Sequence, residues 1–149
     1  METGIEKLSQ IEKNILYSAP AVVSVMASLN EDGTIDENSR EDAIRLAHLR
    51  TFTAAPSLTG YYQEVETTFV HNFNHLSLLL PEDAEAKKDF LKREVVKLSV
   101  VLSRLNKGFV DNLMKSLKSY SSHVMRAKST LLEYFFMSVL VREHERFTE

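Results

Sequence analysis

At 149 residues, 44% apolar and 26% charged, the chain has the composition of one globular domain long enough to bury a continuous core, which excludes a disordered tail or low-complexity filament. Four Gly and three Pro are too few for a tight-turned β-sandwich or barrel, and the lack of Cys removes disulfides, thiol nucleophiles and thiolate metal sites. The formal charge of −3 conceals a segregation: residues 1–86 carry 14 acidic against 5 basic side chains, residues 87–128 carry 3 against 11, and residues 129–149 carry 4 against 2. Such a split suits either a basic surface for an anionic partner or two halves that complement each other once folded.

Hydrophobic periodicity predicts helix nearly throughout. Near the start, Ile5, Leu8, Ile11 and Ile15 share one helical face, and no basic segment leading into an apolar one marks a secretion signal. Ser18 then stands as a cap before Pro20, ahead of a second stretch through Val22, Val23, Met26 and Leu29. Asp32-Gly33 is a loop signal, because Gly accepts the positive φ that ends a helix. Asp36 occupies an N-cap position before Ile44, Leu46 and Ala47, and Ala54-Ala55-Pro56 closes that helix.

From about Thr59 a longer helix follows, with Val65, Phe69, Phe73, Leu76 and Leu80 in one apolar stripe. Pro81-Glu82-Asp83 opens the next helix with acidic residues where the dipole favours them. In it Leu91, Val95, Leu98, Leu102 and Leu105 form the stripe, and Arg93, Lys97 and Arg104 lie opposite. Asn106-Lys107-Gly108 breaks the pattern before a stripe of Val110, Leu113, Leu117, Tyr120 and Val124. The final stretch, Leu131 to Val141, is apolar on most sides and so suits a central position. It is about half of the roughly 20 residues that span a bilayer, so no transmembrane segment is expected. The expectation is an all-α fold: a single compact helical domain over residues 1–149, with six to seven helices and a cytoplasmic location.

An internal repeat refines that expectation. Residues 22–30 align with 98–106, Gly33-Thr34-Ile35-Asp36 with Gly108-Phe109-Val110-Asp111, and each Asp is followed twelve residues later by a His, His48 or His123. Two hairpins, roughly residues 19–55 and 95–125, would pack about a pseudo-twofold axis. Their shared core would hold Val22, Met26, Leu29, Ile35, Leu98, Leu102, Leu105 and Val110, with Phe135 and Phe136 at its centre.

The run Asn30-Glu31-Asp32-Gly33-Thr34-Ile35-Asp36-Glu37, following a helix of small and apolar residues, resembles the turn of the tellurite-resistance TerB-like proteins. The resemblance covers residues 19–48 and, more weakly, 95–123. It implies an all-helical fold with two related turns, a stress-response setting, and acidic residues that bind divalent cations. The chain departs from the family pattern at Ser39, where a Glu is usual, and at Lys107, which replaces the second turn acid.

Several chemistries can be tested against the residues. An EF-hand aligned on Gly33 would place Ser28 and Ser39 at the first and last loop positions, where Ca²⁺ needs acids, so it is rejected. A looser divalent-cation site, for Ca²⁺ or Mn²⁺, would use Asp32, Asp36 and Glu37 with Glu31; Asp32-Gly33 as a turn and Asp36 as a helix cap explain those two acids without any ligand. Basic side chains such as Arg104 or Lys107 could offset that acidic cluster in place of a metal. His71 and His75 have the i, i+4 spacing that reaches one Zn²⁺, with Glu64 on the same face, although a solvated polar face explains them too. The basic segment 87–128, including Lys87, Lys88, Lys92, Arg93, Lys97, Arg104, Lys107, Lys115 and Lys118, could meet phosphates, but no nucleic-acid recognition signature accompanies it. No catalytic triad order or phosphate-cradling loop is present, so no enzyme and no cofactor is expected. The expected function is interaction or scaffolding, through a protein partner or self-association.

Overall fold

The computed structural model describes residues 3–28, 37–38, 40–45 and 56–124. Among them the fold is all-α, with no strand and five helices: α1 (Gln10–Tyr17), α2 (Ala19–Ser28), α3 (Thr59–Leu79), α4 (Ala84–Leu102) and α5 (Lys107–Val124). Two 3₁₀ turns, Ile5–Lys7 and Pro56–Leu58, precede α1 and α3, and residues 37–38 and 40–45 are also helical.

The centre of the described fold is α2, which packs against each of the other four helices. Residues 19–27 are buried without a break, the pattern of a helix enclosed on all sides. Their side chains are small or β-branched apart from Met26, so neighbouring helices can approach closely. Ser24 is buried as well, and its hydroxyl is satisfied locally by donating to the Pro20 carbonyl at 2.6 Å. The expected central stretch, Leu131 to Val141, lies outside the described residues, as do Leu29, Ile35, Phe135 and Phe136. The remaining expected core residues, Val22, Met26, Leu98, Leu102, Leu105 and Val110, are all buried in one cluster.

Helices α1 and α2 meet at Ser18, whose N–H still bonds to the Asn14 carbonyl at 3.1 Å while its own carbonyl accepts from Val22 at 3.0 Å. Ser18 does not cap α2 as expected; its hydroxyl donates back to the Ile15 carbonyl at 2.7 Å. Pro20 has no N–H to give the carbonyl four residues earlier, that of Leu16. The buried Tyr61 hydroxyl on α3 takes that place, donating to the Leu16 carbonyl at 2.8 Å. A proline in one helix is therefore answered by a phenol from another.

The start of the chain departs from the expected continuous stripe. Helix begins only after Ser9, whose hydroxyl accepts from the Glu12 N–H at 3.1 Å while Glu12 accepts from the Ser9 N–H at 3.0 Å, a capping box. The break rotates Ile11 outward, where it is 75% exposed, and leaves Leu8 and Leu16 buried. Gly4, at φ 90°, sets Thr3 against the α4–α5 corner, where the Thr3 carbonyl accepts from the Asn106 N–H at 2.9 Å.

The stripe on α3 is as expected: Val65, Phe69, Phe73 and Leu76 are buried and Leu80 is half-buried. On α4, Leu91, Val95, Leu98 and Leu102 are buried, and Asp83, rather than opening the helix, caps it by accepting from Ala86 N–H at 3.0 Å. The next boundary also shifts. Asn106 caps α5, its side-chain oxygen accepting from Gly108 N–H at 2.9 Å, so Gly108 lies within the first helical turn rather than in a loop. Asp111 is consequently an interior helix residue paired with Lys107 at 3.5 Å, not the cap that the repeat would give it.

Candidate functional sites

Of the four acidic-turn residues, only Glu37 lies among the described residues; Glu31, Asp32 and Asp36, with Ser39, lie outside them. Glu37 is exposed and pairs with Arg40 at 3.4 Å. The same guanidinium donates to Asn74 Oδ1 at 2.8 Å and sits 5.7 Å above the Phe73 ring. Arg40 therefore fastens residues 40–45 to α3 by a hydrogen bond and a cation–π contact. Nothing in the periodicity singles out Arg40. Among the described residues no group of three or more His, Asp or Glu side chains is placed to hold a metal ion.

Arg104 pairs with Glu12 at the start of α1, and Lys107 pairs with Asp111. The expectation that Arg104 or Lys107 offsets the acidic cluster turns on residues 31–36, which lie outside the described residues. Glu12 gains most from this corner: the Ser9 N–H, then the Ser9 hydroxyl and the Arg104 charge, hold its carboxyl below the ordinary carboxylate value.

Along α4 the basic face is mostly solvated. Lys88 pairs with Glu85 at 3.6 Å and Lys97 with Glu94 at 3.1 Å, both between residues three apart on the same helix. Such pairs contribute about 0–1 kcal/mol each, so they order the surface more than they stabilise the fold. Lys92, Arg93 and Lys97 are exposed around Val96 and Val100, which are 43% and 37% exposed. These two valines escaped the sequence reading because the true core residues on either side, Val95, Leu98, Ser99 and Val101, share their type and neighbourhood.

His71 and His75 both project from the exposed side of α3, with parallel rings 9° apart and centroids separated by 5.9 Å. Glu64 does not join them. It lies two turns away, about 10 Å along the axis, and its charge acts on Tyr17, whose hydroxyl is pushed up in pKa first by burial and then by Glu64.

Two buried phenols complete the polar interior. Tyr62 and Ser116 share a hydrogen bond of 2.6 Å between α3 and α5. Tyr61, pushed well above the ordinary phenol value by burial, stays a neutral donor at any ordinary pH, as its bond to Leu16 requires. Each phenol ties α3 to a neighbouring helix, Tyr61 to α1 and Tyr62 to α5.

Among the described residues no helix is long and apolar enough to cross a membrane. No family model, no curated protein and no solved structure matches the chain.

Proposed function

We propose that the chain is a non-enzymatic helical interaction module, with the outward face of α4 as its contact surface. One observation supports this reading: Val96 and Val100, a turn apart, form an exposed apolar strip bordered by Lys92, Arg93 and Lys97. A single exposed valine is ordinary. Two in successive turns, on a helix whose other side is fully buried, make a strip with a cationic border. That surface suits a protein segment presenting carboxylates beside an apolar ridge, because the charges steer the encounter while apolar burial supplies affinity. The pseudo-twofold repeat, the TerB-like relationship, the stress-response setting and a cytoplasmic location belong to the same proposal and rest on the motif at 30–37 and the alignment of 22–30 with 98–106.

A photo-cross-linking residue placed at Val96 tests it. Adducts with a protein partner, or with a second copy, should form at Val96 and not at Thr67 on the exposed side of α3. Equal labelling at both positions would overturn the reading. The same cations offer nucleic acid as the alternative, and heparin separates the two: no retention is expected at physiological salt, whereas tight binding that weakens steeply with salt would transfer the face to phosphate recognition.

The divalent-cation reading of Glu31, Asp32, Asp36 and Glu37 draws its support from the sequence motif, and the Glu37–Arg40 pair works against it by neutralising one donor. If Ca²⁺ or Mn²⁺ binds the native state there, millimolar ion raises the melting temperature and Asp32→Asn removes the rise. An unchanged melt leaves a structural turn.

A further inference from the structure

We infer that His71 and His75 form a two-imidazole site on α3 for a borderline divalent metal ion, Zn²⁺ before Ca²⁺ or Mg²⁺. Residues four apart on a helix have Cβ atoms about 5–6 Å apart on one face, close enough for two side chains to share a ligand. The rings already lie side by side, parallel within 9° at 5.9 Å, and both are exposed. At Zn–N bonds of about 2.0–2.1 Å, two ligating nitrogens in a tetrahedral site stand about 3.3 Å apart. Exposed imidazoles can close that gap by side-chain rotation with the backbone fixed.

The electrostatic setting favours a cation. From Thr51 to Ala86 the chain contains no Lys or Arg, while Glu64 and Glu66 share α3 with the pair. The Arg40 guanidinium meets this helix at Asn74 and is shared with Glu37. Other neighbours on the exposed side, Thr67, Thr68 and Asn74, are neutral. Imidazole nitrogen selects Zn²⁺, Ni²⁺ or Cu²⁺ over the oxygen-seeking Ca²⁺ and Mg²⁺. Two protein ligands leave coordination positions open to water or to donors from another molecule. The site uses none of the residues of the α4 surface or of the acidic turn, so it stands or falls independently of the function proposed above.

The test is a Zn²⁺ titration of the full chain followed by NMR of the five histidine rings. The His71 and His75 resonances should move together and saturate at one ion per chain, ahead of those of His48, His123 and His144. Separate His71→Ala and His75→Ala variants, both at exposed positions and checked for an unchanged circular dichroism spectrum, should each lose that isotherm. Ca²⁺ should leave both rings unmoved. The inference is overturned by equal shifts at all five histidines, by unchanged binding in either variant, by a Ca²⁺ response matching that of Zn²⁺, or by no response at millimolar Zn²⁺.

Discussion

Helix α2 carries three valines and α4 four, but the two helices spend them differently. In α2 the apolar residues are consecutive, and residues 19–27 are all buried. In α4 the buried set Leu91, Val95, Leu98, Ser99, Val101 and Leu102 follows the helical period, and the positions between are Lys, Arg, Glu and two exposed valines. A helix without a polar face must be enclosed, and a helix with one must have a side left over. Structure is concentrated on the first, and the contact surface we propose lies on the second.

The sharpest way to break this contrast is a charge in α2. Val23 is fully buried, so Val23→Asp places a carboxylate where no cation or water answers it. The expected cost exceeds about 4–5 kcal/mol, enough to abolish a cooperative melt in a domain of ordinary stability. A folded Val23→Asp protein with a normal thermal transition would show that α2 is not enclosed.

Next in size is Phe109, fully buried on α5 with its ring 6.1 Å from that of Tyr61 in an edge arrangement. Phe109→Ala should cost roughly 3–5 kcal/mol in denaturant unfolding. A cost under about 1 kcal/mol, the range of surface positions, would mean that the site collapses or is not core. The sequence reading missed this residue because it took Gly108 as a turn. With Asn106 as the cap, Phe109 instead begins the buried face of a helix.

A smaller and more specific effect joins α1, α2 and α3. Tyr61→Phe removes the hydroxyl that donates to the Leu16 carbonyl, which Pro20 cannot serve, and should cost about 1–3 kcal/mol. Pro20→Ala restores an N–H four residues after Leu16. In that background Tyr61→Phe should cost less, and a double-mutant cycle measures the coupling. Strictly additive costs would show that the phenol does not stand in for the missing amide.

These cases show what was legible in the sequence. The stripes Val65/Phe69/Phe73/Leu76 and Leu91/Val95/Leu98/Leu102 could be read directly, because long amphipathic helices declare their buried face. Boundaries were less legible, since Ser9, Asp83 and Asn106 each compete with nearby residues of equal capping ability. Partners separated by 45 or 92 residues, Tyr61 with Leu16 and Arg104 with Glu12, are set by tertiary packing and leave no local pattern. At the candidate sites the residue types were visible, but the exposure of Val96 and Val100 was not: valine reads as core until the helix it belongs to has been rotated into place.

The Glu12 corner gives a pH-dependent prediction. Its folded pKa lies below the ordinary carboxylate value, so the folded state favours the ionised form. That contribution is present in full above the unfolded pKa, about 4.3 for Glu, and is lost as pH falls through the lowered folded value. Unfolding at neutral and acid pH should therefore show a smaller acid-induced loss for Glu12→Gln than for the parent. Equal losses would remove Glu12 from the account.

The smallest effect on stability belongs to α4, and it matters because it is small. Lys92→Glu and Val96→Ser change exposed positions on the side turned away from α2, so each should alter unfolding free energy by no more than about 0.5 kcal/mol. If the outward face is a contact surface, the same changes should weaken association: Lys92→Glu by slowing the encounter in a salt-dependent way, Val96→Ser by removing apolar burial at the centre. A variant that keeps its melt and loses its cross-linked partner separates recognition from folding. Were Val96→Ser instead to destabilise the chain by several kcal/mol, the valine strip would be part of the core, and α4 would resemble α2 rather than oppose it.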